Sequence, residues 1–185
     1  MTQLQEAVIA QWEKLHVSLA NEMNLQAPFR DVYHETALNI VRTAGVLSAA
    51  ASALFRSHGL TEAQFNVLFA LKYNPRETTQ SDLGRMLVVT RATITSVLDK
   101  MEAKELVARI SVPSNRRIYH LALTAAGRDL IEDLEPKYRN NLHDAMAALG
   151  ETECRTAIEF LEQVRGQAAT VQQSLAANSN SNGGI

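Results

Sequence analysis

Three arginines in this chain are spaced to hold fixed charge against an anion. Arg91 follows Thr90, and Arg116 and Arg117 are adjacent within SVPSNRRIYHLALT, residues 111–124. A guanidinium keeps its proton and offers five donors in a rigid fork, which suits a guanine edge or a phosphate. Thr79, Thr90, Thr93, Thr95 and Ser96 add short hydroxyls, and Lys100 adds a mobile ammonium. Such a set recognises a polyanion; it does not break bonds. The residues that would support catalysis are scattered: His16, His34, His58, His120 and His143 form no His-x-x-x-His and no Cys/His ligand spacing. No glycine-rich phosphate loop is present. The expectation is therefore a non-enzyme with no catalytic residue, no metal and no cofactor.

The bulk numbers leave room for that chemistry. The 185 residues are 46% hydrophobic and carry a formal net charge of −2. Between Thr79 and Arg128, however, eight basic residues face four acidic ones. That segment carries +4 and leaves −6 on the rest, which is a local basic surface on an acidic chain. No run of about 18 apolar residues occurs, so no membrane-spanning helix is expected. The N-terminal MTQLQEAVIAQWEK lacks a secretory layout. The single cysteine, Cys154, cannot form an internal disulfide. These readings point to the cytoplasm.

The elements that position the arginines are set by periodicity. Leu4, Val8, Trp12, Leu15 and Leu19 make one helical face, and Pro28 breaks the pattern beyond it. A second helix is predicted from about Asp31 to His58, alanine-rich and ended by Gly59. Thr61 and Gln64 form a capping box for a helix that buries Phe65, Leu68, Phe69 and Leu71. Thr79 opens a short helix with Asp82 at its third position, and Thr90 caps another from about Arg91 to Lys104. Only Leu87, Val88 and Val89 separate the two, so they must cross steeply as a helix-turn-helix. Val107–Val112 and Ile118–Leu123 read as strands joined by a Pro113-Ser114-Asn115 turn. Thr124 caps a long helix to about Leu149, with Pro136 expected to kink or break it, and a last helix runs from Glu151 to about Ala176. The Asn/Ser/Gly-rich tail, 178–185, reads as disordered.

A helix-turn-helix followed by a hairpin is a winged helix-turn-helix. The predicted fold class is mostly α with a small β-hairpin. Its organisation is N-terminal helices over 1–59, a DNA-binding domain over 60–127, C-terminal helices over 128–177 and the tail. In such a fold the second helix of the pair enters the major groove by its N-terminal end, here Thr90 to Ser96. Arg116 would meet a phosphate and Arg117 the minor groove, whose width and potential it would read.

These residues also carry a family resemblance. GLTEAQFNVLFAL, TQSDLGRMLVVTRATITSVLDKMEAKELVAR and NRRIYHLALTAAG together resemble the core of the multiple-antibiotic-resistance regulator (MarR) family over about Leu60 to Gly127. Thr95 and Arg109 fall at characteristic positions. The resemblance implies a homodimeric regulator of transcription, usually a repressor, whose first and last helices interlock as the dimerisation region. Two departures stand out. Asn115 replaces an aspartate that helps to orient the second wing arginine, and Glu105 replaces a basic residue with no glycine before Leu106.

The N-terminal extension resembles that of the family's urate-responsive branch. Trp12 falls where that branch has a ligand-contacting tryptophan, and Arg42 matches an arginine position, whereas Asn66 and Ser96 replace an aspartate and an arginine. The implied effector is therefore a different small aromatic, with a carboxylate the favoured class, in a pocket of Trp12, His34, Arg42, Phe65, Asn66 and Phe69. On its largely apolar helix Arg42 is expected to be half-buried, and it would then need an anion or a carboxylate partner. Two alternatives stand beside this reading: a redox-responsive regulator acting through Cys154, and a winged-helix protein-interaction module that never touches DNA.

Overall fold

The computed structural model describes residues 18–27, 29–74, 77–112 and 115–181, with 112, 115–118 and 179–181 described for their backbone alone. In chain order the elements are α1 (Leu19–Glu22), α2 (Val32–Ser57), α3 (Glu62–Tyr73), α4 (Gln80–Met86), α5 (Arg91–Ala103), β1 (Val107–Val112), β2 (Asn115–Leu123), α6 (Ala125–Met146) and α7 (Glu151–Ser181). The strands form one antiparallel hairpin, with Val107 opposite Leu123 and Ser111 opposite Tyr119. The predicted class holds: helices with one small two-stranded wing. Of the first predicted helix, Leu4 to Leu19, residues 4–17 with Trp12 lie outside the described residues; its last turn is not continuous, because Ser18 is extended and caps a new helix that begins at Leu19.

Local chemistry sets the element boundaries. Thr61 Oγ1 accepts from the Gln64 N–H while Gln64 Oε1 accepts from the Thr61 N–H, so two orphan donors of α3 are satisfied at once. Thr79 and Asp82 do the same for α4. Thr90 caps α5 through the Thr93 N–H. The C-termini of α2, α4 and α5 obey one rule. At the end of α2 the Leu60 N–H reaches Phe55 O at 2.9 Å and the Gly59 N–H reaches Arg56 O at 3.0 Å, with Gly59 at φ +70°. That paired-bond closure needs a left-handed residue, and glycine adopts it freely. The ends of α4 and α5 close in the same way without glycine. Val89 N bonds Gly84 O and Leu106 N bonds Met101 O, both at 3.0 Å, with Val88 at φ +53° and Glu105 at φ +57°. The missing glycine before Leu106 is thus replaced by a glutamate forced into the same conformation.

The core packs these helices around α5. Phe55, Phe65, Leu68, Leu83, Ile94, Leu98 and Met101 are buried, and Ile131 and Leu134 of α6 join them. Phe55 and Phe65 stack at 4.2 Å, and Phe69 and Tyr73 extend the row along α3 with centroid separations of 6.0 and 4.7 Å. The wing is tied to the helix pair by backbone bonds: Leu121 donates to Thr78 O at 2.8 Å, and Thr79 bridges His120. The buried Glu135 accepts from Lys72 Nζ at 2.6 Å and from the Tyr73 hydroxyl. Its carboxylate holds the Lys72 ammonium above its ordinary value against the opposing effect of burial.

Several boundaries differ from the sequence reading. β2 begins at Asn115, so Asn115, Arg116 and Arg117 are strand residues and not a turn; Val112 pairs with Asn115 across a register irregularity at Ser111/Val112. Pro136 does not end α6. Proline costs one i→i−4 bond, but its fixed φ fits a helix, and the buried side chains before it hold the turn. Its mark is elsewhere, because the chain divides into two compact units, Met1–Glu135 and Pro136–Ile185, at that residue. α7 continues to Ser181, through residues 178–181 of the tail that composition marks as disordered; alternating small polar residues lower helix propensity without forbidding the helix. α2 is long and apolar enough to span a bilayer by length and composition, a test that core helices of non-membrane proteins also pass.

Backbone geometry gives two stability predictions. A Cβ on Gly127 would sit well inside van der Waals contact of Leu106 O, a backbone atom that cannot swing away. Gly127→Ala should cost about 1–3 kcal/mol by chemical denaturation, as overpacking does. Val88 is 88% exposed and β-branched at positive φ. Val88→Gly should raise stability by roughly 1 kcal/mol, the strain relieved less the entropy glycine adds to the unfolded chain.

Candidate nucleic-acid interface

α5 presents its first two turns to solvent. Arg91, Ala92, Thr93, Ser96 and Lys100 are exposed, while Ile94, Leu98 and Met101 point inward. Arg91 has no ion-pair partner among the described residues, so its fork is available. The hydroxyls of Thr90 and Thr93 lie 2.9 Å apart at the helix start.

Not every predicted hydroxyl is free. Thr95 is half-buried; its hydroxyl donates to Arg91 O at 2.7 Å and accepts from Gln80 Nε2 at 2.5 Å. Those bonds fix where α5 crosses α4, so Thr95 holds the helix and Gln80 is a residue that sequence reasoning misses. The Thr79 hydroxyl is likewise committed, donating to Asp82 Oδ2 at 2.6 Å. Arg116 and Arg117 lie in β2, and their side chains are outside the described set.

Arg109 is a second omission, marked in the sequence by position and not by role. Its guanidinium donates to Asp99 Oδ1 at 2.6 Å and Glu102 Oε2 at 2.7 Å. Strand β1 is thereby forked onto the far half of α5, and the Asp99 carboxylate holds the guanidinium pKa above its ordinary value. The only hint in the sequence is two acids three residues apart on one helix, with an arginine seven and ten residues on. Between α4, the start of α5 and the wing lies a cleft of about 550 Å³, whose lining includes Arg85, Arg91, Arg109 and Tyr119.

The predicted effector residues do not converge among the described residues. Phe65 is buried in the core. His34 is exposed and meets Phe29 edge-on at 5.9 Å. Arg42 is not half-buried: its side chain is 58% exposed and Nε lies 3.2 Å from Glu22 Oε2. The short α1 turn, capped by Ser18, supplies that carboxylate, so burial places no demand for an anion on Arg42. Asn66 lines a second cleft of about 380 Å³, with Glu62, Leu87, Thr93 and Val97. Phe69, expected on the buried face of α3, is instead 40% exposed, because it lies off the side of α3 that carries Phe65, Leu68 and Leu71 into the core. Trp12 is outside the described residues. Cys154 is half-exposed on α7, and no group of three metal-ligating side chains occurs among the described residues.

Comparison with known proteins decides the family. The MarR family model matches residues 58–118. The HTH-type transcriptional regulator MhqR of Bacillus subtilis is 31% identical over 107 residues, covering 58% of this chain and 73% of that one. The chain belongs to the MarR family of transcriptional regulators. The HTH-type transcriptional repressor NicR of Pseudomonas putida is 33% identical over 103 residues, 55% of this chain and 63% of its own. Among solved structures, the M. tuberculosis transcriptional regulator MOSR in complex with DNA superposes with a TM-score of 0.58 at 27% identity, covering 71% of this chain and 96% of that one. In this MarR-family chain the matched stretch runs from the end of α2 into β2, which contains the whole helix pair.

The capping carboxylate gives a pH test. Hydrogen bonds from Thr79, assisted by the Arg85 charge, hold Asp82 below its ordinary value of 3.8. A depressed carboxylate contributes stability that is complete above the unfolded value and lost as pH falls through the folded one. Asp82→Asn should therefore lower stability at neutral pH and flatten the acid limb of the stability curve below about pH 4, read by urea denaturation across pH.

Proposed function

We propose that this chain is a homodimeric, sequence-specific DNA-binding repressor, released by a small aromatic effector with a carboxylate the favoured class. The observation that carries the DNA reading is the exposed start of α5, where Arg91, with no ion pair among the described residues, stands between the Thr90 cap and Thr93 on a helix locked from behind. Thr90, Thr93, Ser96 and Lys100 would flank it on bases and phosphates. Arg116 and Arg117 would follow from the wing. Repression is supported by the similarity to NicR, and DNA engagement by the similarity to MOSR.

Dimerisation through residues 1–59 and 128–177 would cover apolar surface that the single chain leaves open. Val41 and Val46 of α2 are exposed, as are Ile158, Phe160, Val164 and Val171 of α7. A water-exposed monomer rarely tolerates so much apolar surface. A second copy would cover it and set two recognition helices about 34–36 Å apart, so the operator would be an imperfect palindrome. On the effector side, Phe69 offers an open aromatic surface; Trp12, His34, Arg42, Phe65 and Asn66 complete the proposed set, although the geometry of the described residues gives it no common cavity.

Selection from a random-sequence library should yield a palindromic site. On that site, Arg91→Ala should cost about 1–3 kcal/mol and relax one base position. Arg117→Ala should weaken binding most where the flanks are A/T-rich. A thermal-shift screen of benzoic and phenylacetic acids should give stabilisation that Phe69→Ala removes; no shift with any of them would reject the effector class.

A further inference from the structure

We infer that Arg85, near the end of α4, is a DNA-phosphate anchor, and that the cleft between α4, α5 and the wing is where a backbone phosphate sits. The inference rests on the DNA-binding reading and adds a contact that the family motif and the recognition helix do not supply.

The cleft of about 550 Å³ is lined by eleven residues, three of them arginines and none of them acidic. The three guanidinium groups are not equivalent. Arg109 is spent, because both of its ends are held by Asp99 and Glu102 and its side chain is 27% exposed. Arg91 sits at the tip of the recognition helix and is positioned for base edges. Arg85 differs from both: its side chain is 75% exposed, and its one ion-pair partner among the described residues is Asp82. That carboxylate already serves the α4 cap, since Oδ2 accepts from both the N–H and the hydroxyl of Thr79. Only Oδ1 faces Arg85. The guanidinium is thus anchored at one nitrogen and leaves the remaining donors of its fork directed away from Asp82. An oriented, exposed, partly neutralised arginine beside the groove-reading helix has the features of a phosphate contact, because it loses little rotamer freedom on binding. Ser81 and Tyr119 line the same cleft, and their hydroxyls would complete the oxygen's coordination. Arg85 would then grip the backbone whatever the sequence, while Arg91 discriminates among bases.

The test is the salt dependence of binding to two duplexes, one of random sequence and one carrying the selected site, monitored by fluorescence anisotropy. Arg85→Gln should lower the magnitude of the slope of log K against log salt by about one, and by the same amount on both duplexes. Arg85→Lys, which keeps the charge, should restore the slope. Arg155→Gln removes an equal charge from a 73% exposed position of α7; with its oligomeric state matched to wild type by size-exclusion chromatography, it should leave the slope unchanged. If wild type binds with a steep slope and Arg85→Gln matches it, the anchor assignment is overturned while the DNA reading stands. If wild type binds neither duplex, it is the DNA reading that falls. An equal slope change in Arg155→Gln would reduce Arg85 to a general contribution to net charge and overturn the assignment.

Discussion

The fold depends on one close backbone approach, that of Gly127 to Leu106. Leu106 is the residue whose N–H closes α5 onto Met101 O, and its own carbonyl accepts from the Thr124 N–H at 3.2 Å. The Thr124 hydroxyl donates to Glu105 O at 2.5 Å and accepts from the Gly127 N–H at 3.0 Å. The end of α5, both ends of the wing and the start of α6 are therefore knotted within a handful of residues. A side chain at position 127 would collide with the backbone of that knot, so glycine is needed there for space and not for flexibility. The direction of Arg91 relative to the wing is set by this junction.

Around it, polar side chains act as locks more often than as readers. Gln80 and Thr95 fix the crossing of α4 and α5, and Arg109 forks β1 onto Asp99 and Glu102. Lys104 reaches back 2.6 Å to Gly59 O and ties α5 to the end of α2. These contacts are partly exposed, so each is worth little in isolation. Their value is geometric: they keep an exposed helix face in one pose, which would spare a few guanidinium and hydroxyl groups a large ordering cost if they meet a rigid duplex as proposed.

The fold is legible in the sequence wherever a rule is local. The capping boxes at Thr61–Gln64 and Thr79–Asp82, the Thr90 cap, the Gly59 stop and the hairpin all depend on residues within a few positions of one another, and all are present. Long-range pairing is not legible. An apolar helix suggests a half-buried Arg42, but its apolar neighbours Val41 and Val46 are exposed in the single chain and Glu22, twenty residues away, pairs with the arginine. The locking role of Thr95 is hidden for the same reason, since its partner Gln80 lies on another helix. Pro136 carries a true signal of discontinuity, which marks the boundary between compact units and not a break in the helix.

Whether α5 lies in the major groove, with Arg91 at a base edge, is measured by guanine N7 methylation interference on the selected site. A docked pair of α5 helices gives interfering guanines in two major-groove segments one helical turn apart, and one guanine per half-site becomes indifferent to methylation in Arg91→Ala. Interference that is unchanged in Arg91→Ala, or confined to a single segment, would contradict that docking.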